Sequence, residues 1–286
     1  MKIIKNYRET PVLRAGFNRL ARQTFGLDFE GWYQNGFWTD CYEPYSVVEN
    51  GEIVANVSVN RIGLQIGGAV YNTIQLGTVM TAEAYRNRGY IRAILEEIDR
   101  DIPGNDGVFL FANDEVLSFY PKFGFTQCQE YRYSRFVNQS GACTVKPVPM
   151  DGPDAWSRLR RTMEENVFRT GCVMVGNPGL IFFYASQFMR DCVYYDPGLD
   201  AWAIAEVEDG HLLLHEVYSG CPVELDAVIA AFGAGIKQVT LGFSPADPTG
   251  FTCQAFREED TTFFVKGALW DSFSKNRLRI PTLAHA

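Results

Sequence analysis

Five consecutive residues, Arg86-Asn87-Arg88-Gly89-Tyr90, carry the clearest chemistry in the chain. They lead into a segment where Ile91, Ile94, Leu95 and Ile98 recur at i, i+3, i+4 and i+7, the spacing of a helix with one buried face. The first turn of such a helix leaves backbone N–H groups unpaired, and aligned peptide dipoles place roughly +0.5 charge there. Gly89 lets the backbone approach a ligand closely, while Arg86 and Arg88 add full positive charges. Together they suit a pyrophosphate; a basic turn that only caps a helix would use the same residues. Tyr120 is the second candidate. In FANDEVLSFYPKFGF (111–125), Val116, Tyr120 and Phe123 share a helical face that turns the Tyr120 ring inward, although Pro121 should weaken or end the helix. A phenol with a pKa near 10 keeps its proton at neutral pH and can give it to a departing anion.

Other chemistries have little to work with. There are three histidines, His211, His215 and His285, too few to favour a Ser-His or Cys-His pair. His211 and His215 share one face of an expected hairpin strand without a carboxylate at ligand spacing, so no metal site is expected. The seven cysteines form no CxxC pair, which points to a reducing, cytoplasmic compartment rather than a disulfide scaffold. The formal charge of −8 argues against nucleic acid or an anionic membrane as partner. The opening MKIIKNYRET lacks the apolar stretch of a secretion signal, and no run approaches the roughly 18 apolar residues of a membrane span.

The elements that must hold these residues follow from patterning. Residues 53–61 alternate as a half-buried strand, and 71–81 form a second strand in which Gly77 marks a bulge or close backbone approach. Residues 107–113 are a short buried strand. Residues 201–219 are two strands around Asp209-Gly210, a hairpin signal. A helix from Pro222 to about residue 232, a strand at 237–243 and another at 261–266 complete the second half. It repeats the order hairpin, helix, strand, with nothing like RNRG before its helix. The expected fold is α/β: two related units, each a mixed, largely antiparallel sheet flanked by helices. The expected units are 1–138 and 155–286, joined by the Gly/Pro/Ser-rich linker 139–154.

The stretch VMTAEAYRNRGYIRAIL (79–95) closely resembles the acetyl-CoA motif of the GNAT N-acetyltransferases, Q/R-x-x-G-x-G/A after a bulged strand. Arg86 and Gly89 take its first and fourth positions, and Ile91 replaces the final small residue. The R-x-R-G form with two bulky residues is similar to the Eis-like branch, whose members carry a second, degenerate GNAT-like unit. FANDEVLSFYPKFGF resembles the family's N-x-x-A-x-x-F-Y-x-K-x-G-F segment, with Val116 in place of Ala. The resemblance implies tandem GNAT-like domains with acetyl-CoA as cosubstrate. The cofactor residues it implies are Val79, Met80 and Thr81 along the pantetheine, Arg86, Asn87, Arg88, Gly89, Tyr90, Ile91 and Arg92 at the phosphates, and Asn113 at the border. Tyr120 takes the position of the general acid. Asn113 followed by Asp and Glu also suits a plain helix start.

On the acceptor side, residues 25–45 combine Phe29, Trp32, Tyr33, Phe37, Trp38, Tyr42 and Tyr45 with Asp28, Glu30, Asp40 and Glu43. In the family this segment forms the acceptor wall, and an aromatic, acidic wall would suit a cationic amine. The same aromatics could equally pack two short helices onto the sheet. An attacking amine must lose a proton. Gln75 could orient a water, and Asp40 or Glu43 could act as base. The resemblance also implies a C-terminal carboxylate, here that of Ala286; extending the chain beyond it should then abolish transfer and spare CoA binding. The expected reaction is direct transfer of acetyl to a primary amine of a small molecule or peptide, without an acyl-enzyme. The absence of an obvious base leaves a non-catalytic acyl-CoA-binding sensor or interaction protein as the other reading.

Overall fold

The computed structural model describes residues 1–285. The first half of the chain runs β1 (Lys2–Ile4), α1 (Pro11–Phe25), α2 (Glu30–Gln34), β2 (Tyr42–Glu49), β3 (Glu52–Ile66) and β4 (Ala69–Thr81). It continues with α3 (Tyr90–Asp101), β5 (Gly107–Ala112), β6 (Thr126–Gln127) and β7 (Glu130–Phe136). The second half holds β8 (Lys146–Pro147), α4 (Pro153–Glu164), β9 (Cys172–Val175), α5 (Pro178–Gln187), β10 (Val193–Asp196) and β11 (Ala201–Glu208). After these come β12 (His211–Ser219), α6 (Leu225–Ala231), β13 (Gln238–Leu241), β14 (Thr252–Phe256), β15 (Thr262–Lys266) and α7 (Leu269–Lys275).

The described residues form two sheets of matching plan. One runs β1-β2-β3-β4-β5-β15-β6, with β9 added beside β3; the other runs β8-β10-β11-β12-β13-β7-β14. In each, a long hairpin feeds a helix and then a parallel strand: β3-β4, α3 and β5 in the first, β11-β12, α6 and β13 in the second. The expected hairpin around Asp209-Gly210 is present, with both turn residues at positive φ (48° and 78°). The first half then gives β7 to the other sheet, and the second half gives β15 as well as β9. β15 lies between β5 and β6, and β7 lies between β13 and β14. The two sheets therefore do not divide at 139–154, as the composition of that stretch suggests. The run TTFFVK is apolar on both faces, so it needs a central position; Phe264 packs beside Tyr120 and Phe263 against Trp270.

Helix α3 covers one face of the first sheet through Ile94, Leu95 and Ile98. The opposite face meets α1, α2 and α5 in an aromatic core that also takes Trp202 and Tyr218 from the second sheet. Residues 25–45 thus do pack their helices onto the sheet: Phe29, Trp32, Phe37, Trp38 and Tyr42 are all buried. The helix expected after Asn113 is instead two 3-10 turns, Asp114–Val116 and Tyr120–Phe123. Pro121 supplies no N–H, and Val116 is exposed rather than sharing a face with Tyr120. His215 does have a carboxylate neighbour, Glu206, at 2.7 Å. Arg158 and Arg160 of α4 lie over the rings of Trp202 and Phe182.

In the second sheet β13 ends at Leu241 while β12 runs on to Ser219, with a register shift where β12 carries an extra residue. The chain's own residues 278–284 cover the opening. Thr282 donates its N–H and its hydroxyl to Gly242 O (2.9 and 3.0 Å), Arg279 N–H donates to Ser244 Oγ (2.8 Å), and Ile280 N–H to Glu130 Oε1 (2.9 Å). Beneath them Glu216 is buried, and burial raises its carboxyl to about 8. A carboxyl raised in the fold contributes stability that is present below its ordinary value near 4.5 and is lost as pH climbs through 8. Glu216→Gln is neutral throughout, so its melting temperature should gain on wild type across pH 5–8.5. The gap should reach on the order of 3–5 kcal/mol by pH 8; parallel melting curves would count against it.

Candidate active site

The site begins where β4 and β5 part. Their pairing covers Thr73–Leu76 against Gly107–Leu110, yet β4 continues to Thr81. On its other edge β4 stays with β3, and the register shift between Ser58↔Gly77 and Asn56↔Met80 places one extra residue on β4. Thr78, in the shift, has φ of 47°, which explains the neighbouring Gly77 signal as a bulge. Ala82 N–H bonds Val54 O at 2.8 Å. By the alternation of an antiparallel ladder, the N–H groups of Thr81 and Val79 face the vacated edge. That of Met80 faces β3, and its side chain is buried in the aromatic core.

A buried polar chain fixes the bulge. Tyr7 and Ser46 hydroxyls pair at 2.7 Å, Ser46 donates to Asn56 Oδ1 at 2.8 Å, and Asn56 Nδ2 donates to Thr78 O at 2.9 Å. The Thr78 hydroxyl in turn pairs with Tyr42 Oη. A second chain joins Asn177 to Asn60 Oδ1 (2.8 Å) and Asn60 to Gln75 Oε1 (3.2 Å). Gln75 is sealed in this network, with Nε2 lacking a partner among the described residues.

Beyond β4 the chain passes a 3-10 turn, Glu83–Tyr85, into the loop before α3. Asn87 and Gly89 have φ of 62° and 79°, so left-handed residues alternate with ordinary ones, a concave arrangement of amides that suits an anion. Gly89 is the N-cap of α3, no side chain caps the helix, and the first helical bond is Ala93 N–H to Gly89 O. The N–H groups of Tyr90, Ile91 and Arg92 are left for a ligand. Arg86, Arg88 and Arg92 are exposed; Arg88 donates to Ala84 O and lies over Tyr85, and Arg92 lies over Phe123. The equivalent helix of the second unit, α6, starts at Glu224 with Asp226 in its first turn. Those charges repel phosphate.

Tyr120 sits on the α3 side, among Leu76, Leu110, Phe125 and Phe264. Its hydroxyl has no hydrogen-bond partner among the described residues, and burial pushes it up to about 12. Asn113, expected as a cofactor neighbour or N-cap, does not cap its turn; its amide donates to Asp260 Oδ2 at 2.8 Å, in the loop before β15.

On the other face, Phe29, Trp32, Tyr42, Thr78, Phe183 and His285 are among the residues lining a cavity of about 290 Å³. Trp32 donates to Gly179 O (2.7 Å), and Trp38 stacks behind it at 5.6 Å. The acidic half of the expected wall is elsewhere. Asp28 pairs with Arg22, Glu30 with Arg14, Asp40 with Arg8 and Glu43 with Arg61, and none of the four lines the cavity. Tyr42 and Tyr45 face opposite cores, so Glu43, which follows Tyr42 in the strand, points away from the cavity. Sequence patterning did not single out Thr78, Asn56, Phe183 or His285; a Thr beside a strand glycine was the one signal available. Ala286 lies outside the described residues. Among those residues, no helix is long and apolar enough to cross a membrane, and no group of three His, Cys, Asp or Glu could hold a metal ion.

Residues 13–128 match the acetyltransferase (GNAT) domain family. The matched residues, less than half of the chain, form a domain of the GNAT acetyltransferase type, which its parted strands and amide loop suit. No curated protein sequence matches significantly. Over the whole chain the fold is similar to a conserved Enterococcus faecalis protein described as a probable N-acyltransferase (TM-score 0.61, 13% identity, 95% of this chain and 74% of that one). It is also similar to a GCN5-related N-acetyltransferase from Kribbella flavida (0.56, 18%, 92% and 70%). Eis1 from Mycobacterium abscessus shares it as well (0.54, 12%, 92% and 73%).

Proposed function

We propose that the protein transfers an acetyl group from acetyl-CoA directly to a primary amine. The vacated edge of β4 and the unpaired amides at the start of α3 are successive on the chain, and this continuity carries the reading. Thr81 and Val79 would pair with the pantetheine arm as an added strand would, and the loop Arg86–Arg92 would hold the diphosphate. The amine would attack from the cavity side of the sheet. Tyr120, on the α3 side, would give its proton to the departing thiolate. The amine would attack in its neutral form, its proton given up to solvent. The unpaired state of all seven cysteines supports a reducing compartment such as the cytoplasm.

Calorimetry with acetyl-CoA and thiol release with an amine panel test the proposal together. A Cβ on Gly89 would meet no protein atom within 4 Å, so Gly89→Ala keeps the packing but lets the free loop relax out of the left-handed backbone, which ligand binding must then restore at a cost. That cost, about 1–2 kcal/mol, should weaken acetyl-CoA binding about tenfold in a protein that still folds. No heat of binding from folded wild-type protein would end the assignment.

A further inference from the structure

We infer that the acceptor is a monoamine with an apolar, preferably aromatic, body that occupies the cavity between α1, α2 and α5; this rests on the acetyl-transfer reading and narrows its substrate class. Among the described residues the wall is built of Phe25, Leu27, Phe29, Trp32, Phe183 and other rings, aliphatic groups and hydroxyls, with no carboxylate and no cationic side chain. Each acid of the neighbouring segment is held outside by an arginine. His285, stacked on Phe111 with centroids 3.7 Å apart, stays neutral, since burial lowers it to about 3. Its Nε2 has no partner among the described residues and offers one hydrogen bond without a charge.

Two large aromatic side chains, Phe25 and Phe188, belong to the same wall and are 43% and 57% exposed, so apolar surface continues outward from the cavity. Exposed rings leading into a largely apolar cavity mark an apolar ligand. A volume of about 290 Å³ is roughly twice the cavity that accepts benzene, room for a fused bicycle and a short linker. The cavity reaches the sheet at Thr78 and Tyr42, in the bulge beside the proposed thioester position. Tyr120 lies on the opposite face, so a nucleophile from the cavity and a leaving sulfur near Tyr120 fall on different sides of the carbonyl. A polyamine or aminoglycoside would bring further ammonium groups against a wall whose described residues offer no anion to pair with them.

The test titrates CoA-saturated protein with tryptamine and with spermidine, and compares acetyl transfer to each. Tryptamine should bind and show a kcat/KM at least tenfold above that of spermidine. Leu27→Glu, which adds a carboxylate to the wall, should reverse that preference about tenfold, while Leu27→Gln should not. A preference for spermidine, or no binding of tryptamine to CoA-loaded protein, overturns the inference and leaves acetyl transfer standing. Decanoyl transfer that matches acetyl transfer and is inhibited by tryptamine would assign the cavity to an acyl chain and also overturn it. Failure to bind acetyl-CoA at all would instead remove the underlying reading.

Discussion

Tyr120→Phe lowers the turnover of acetyl transfer by about 10²-fold and leaves acetyl-CoA affinity as it was. The ring is buried between Phe125 and Phe264, so the variant keeps its packing and loses only the hydroxyl. That hydroxyl has no hydrogen-bond partner among the described residues, so its removal orphans no protein group. Burial holds the phenol near 12, which fixes the sign of the pH dependence. An acid must be protonated to work, and this one stays protonated well beyond the ordinary tyrosine value. Wild-type turnover should therefore show no alkaline decline from this group through about pH 10, whereas a phenol of ordinary pKa would begin to titrate near pH 9. Equal turnover in wild type and Tyr120→Phe would remove the acid role and return Tyr120 to the core.

The parts of the site that are local in sequence were legible. Arg86 to Gly89 followed by Ile91, Ile94, Leu95 and Ile98 specifies an uncapped helix start, and the structure has one at Gly89. Gly77 announced the distortion realised at Thr78. What was not legible depends on partners far along the chain. A strand such as β15 shows in its sequence that both faces want burial, but not in which sheet, because β5 and β13 offer equivalent places. Charge pairing is hidden in the same way. Asp28, Glu30, Asp40 and Glu43 read as an acidic wall until Arg22, Arg14, Arg8 and Arg61 are seen to hold them. The aromatic half survives because rings in a packed core have few alternatives.

The second unit repeats the plan of the first, but its helix start is acidic and its opening is covered by the chain's own tail. Gly242→Ala tests that dependence. A Cβ there would lie 2.6 Å from Thr282 Oγ1 and 2.8 Å from His215 Cα, so the tail, as the less constrained side, must move. Overpacking of this kind costs about 1–3 kcal/mol, and displacing the tail also exposes Ile280 and Leu283, both fully buried. The larger consequence lies at the candidate active site, because the same tail carries His285 on the cavity wall. Acetyl transfer should fall more than tenfold through a raised KM for the amine, while the heat of acetyl-CoA binding at the remote 86–92 loop is retained. Thr282→Ala, which removes the nearer obstruction, should recover part of both losses in the double variant. A Gly242→Ala protein with wild-type melting temperature and wild-type amine KM would show that the tail does not shape the acceptor cavity.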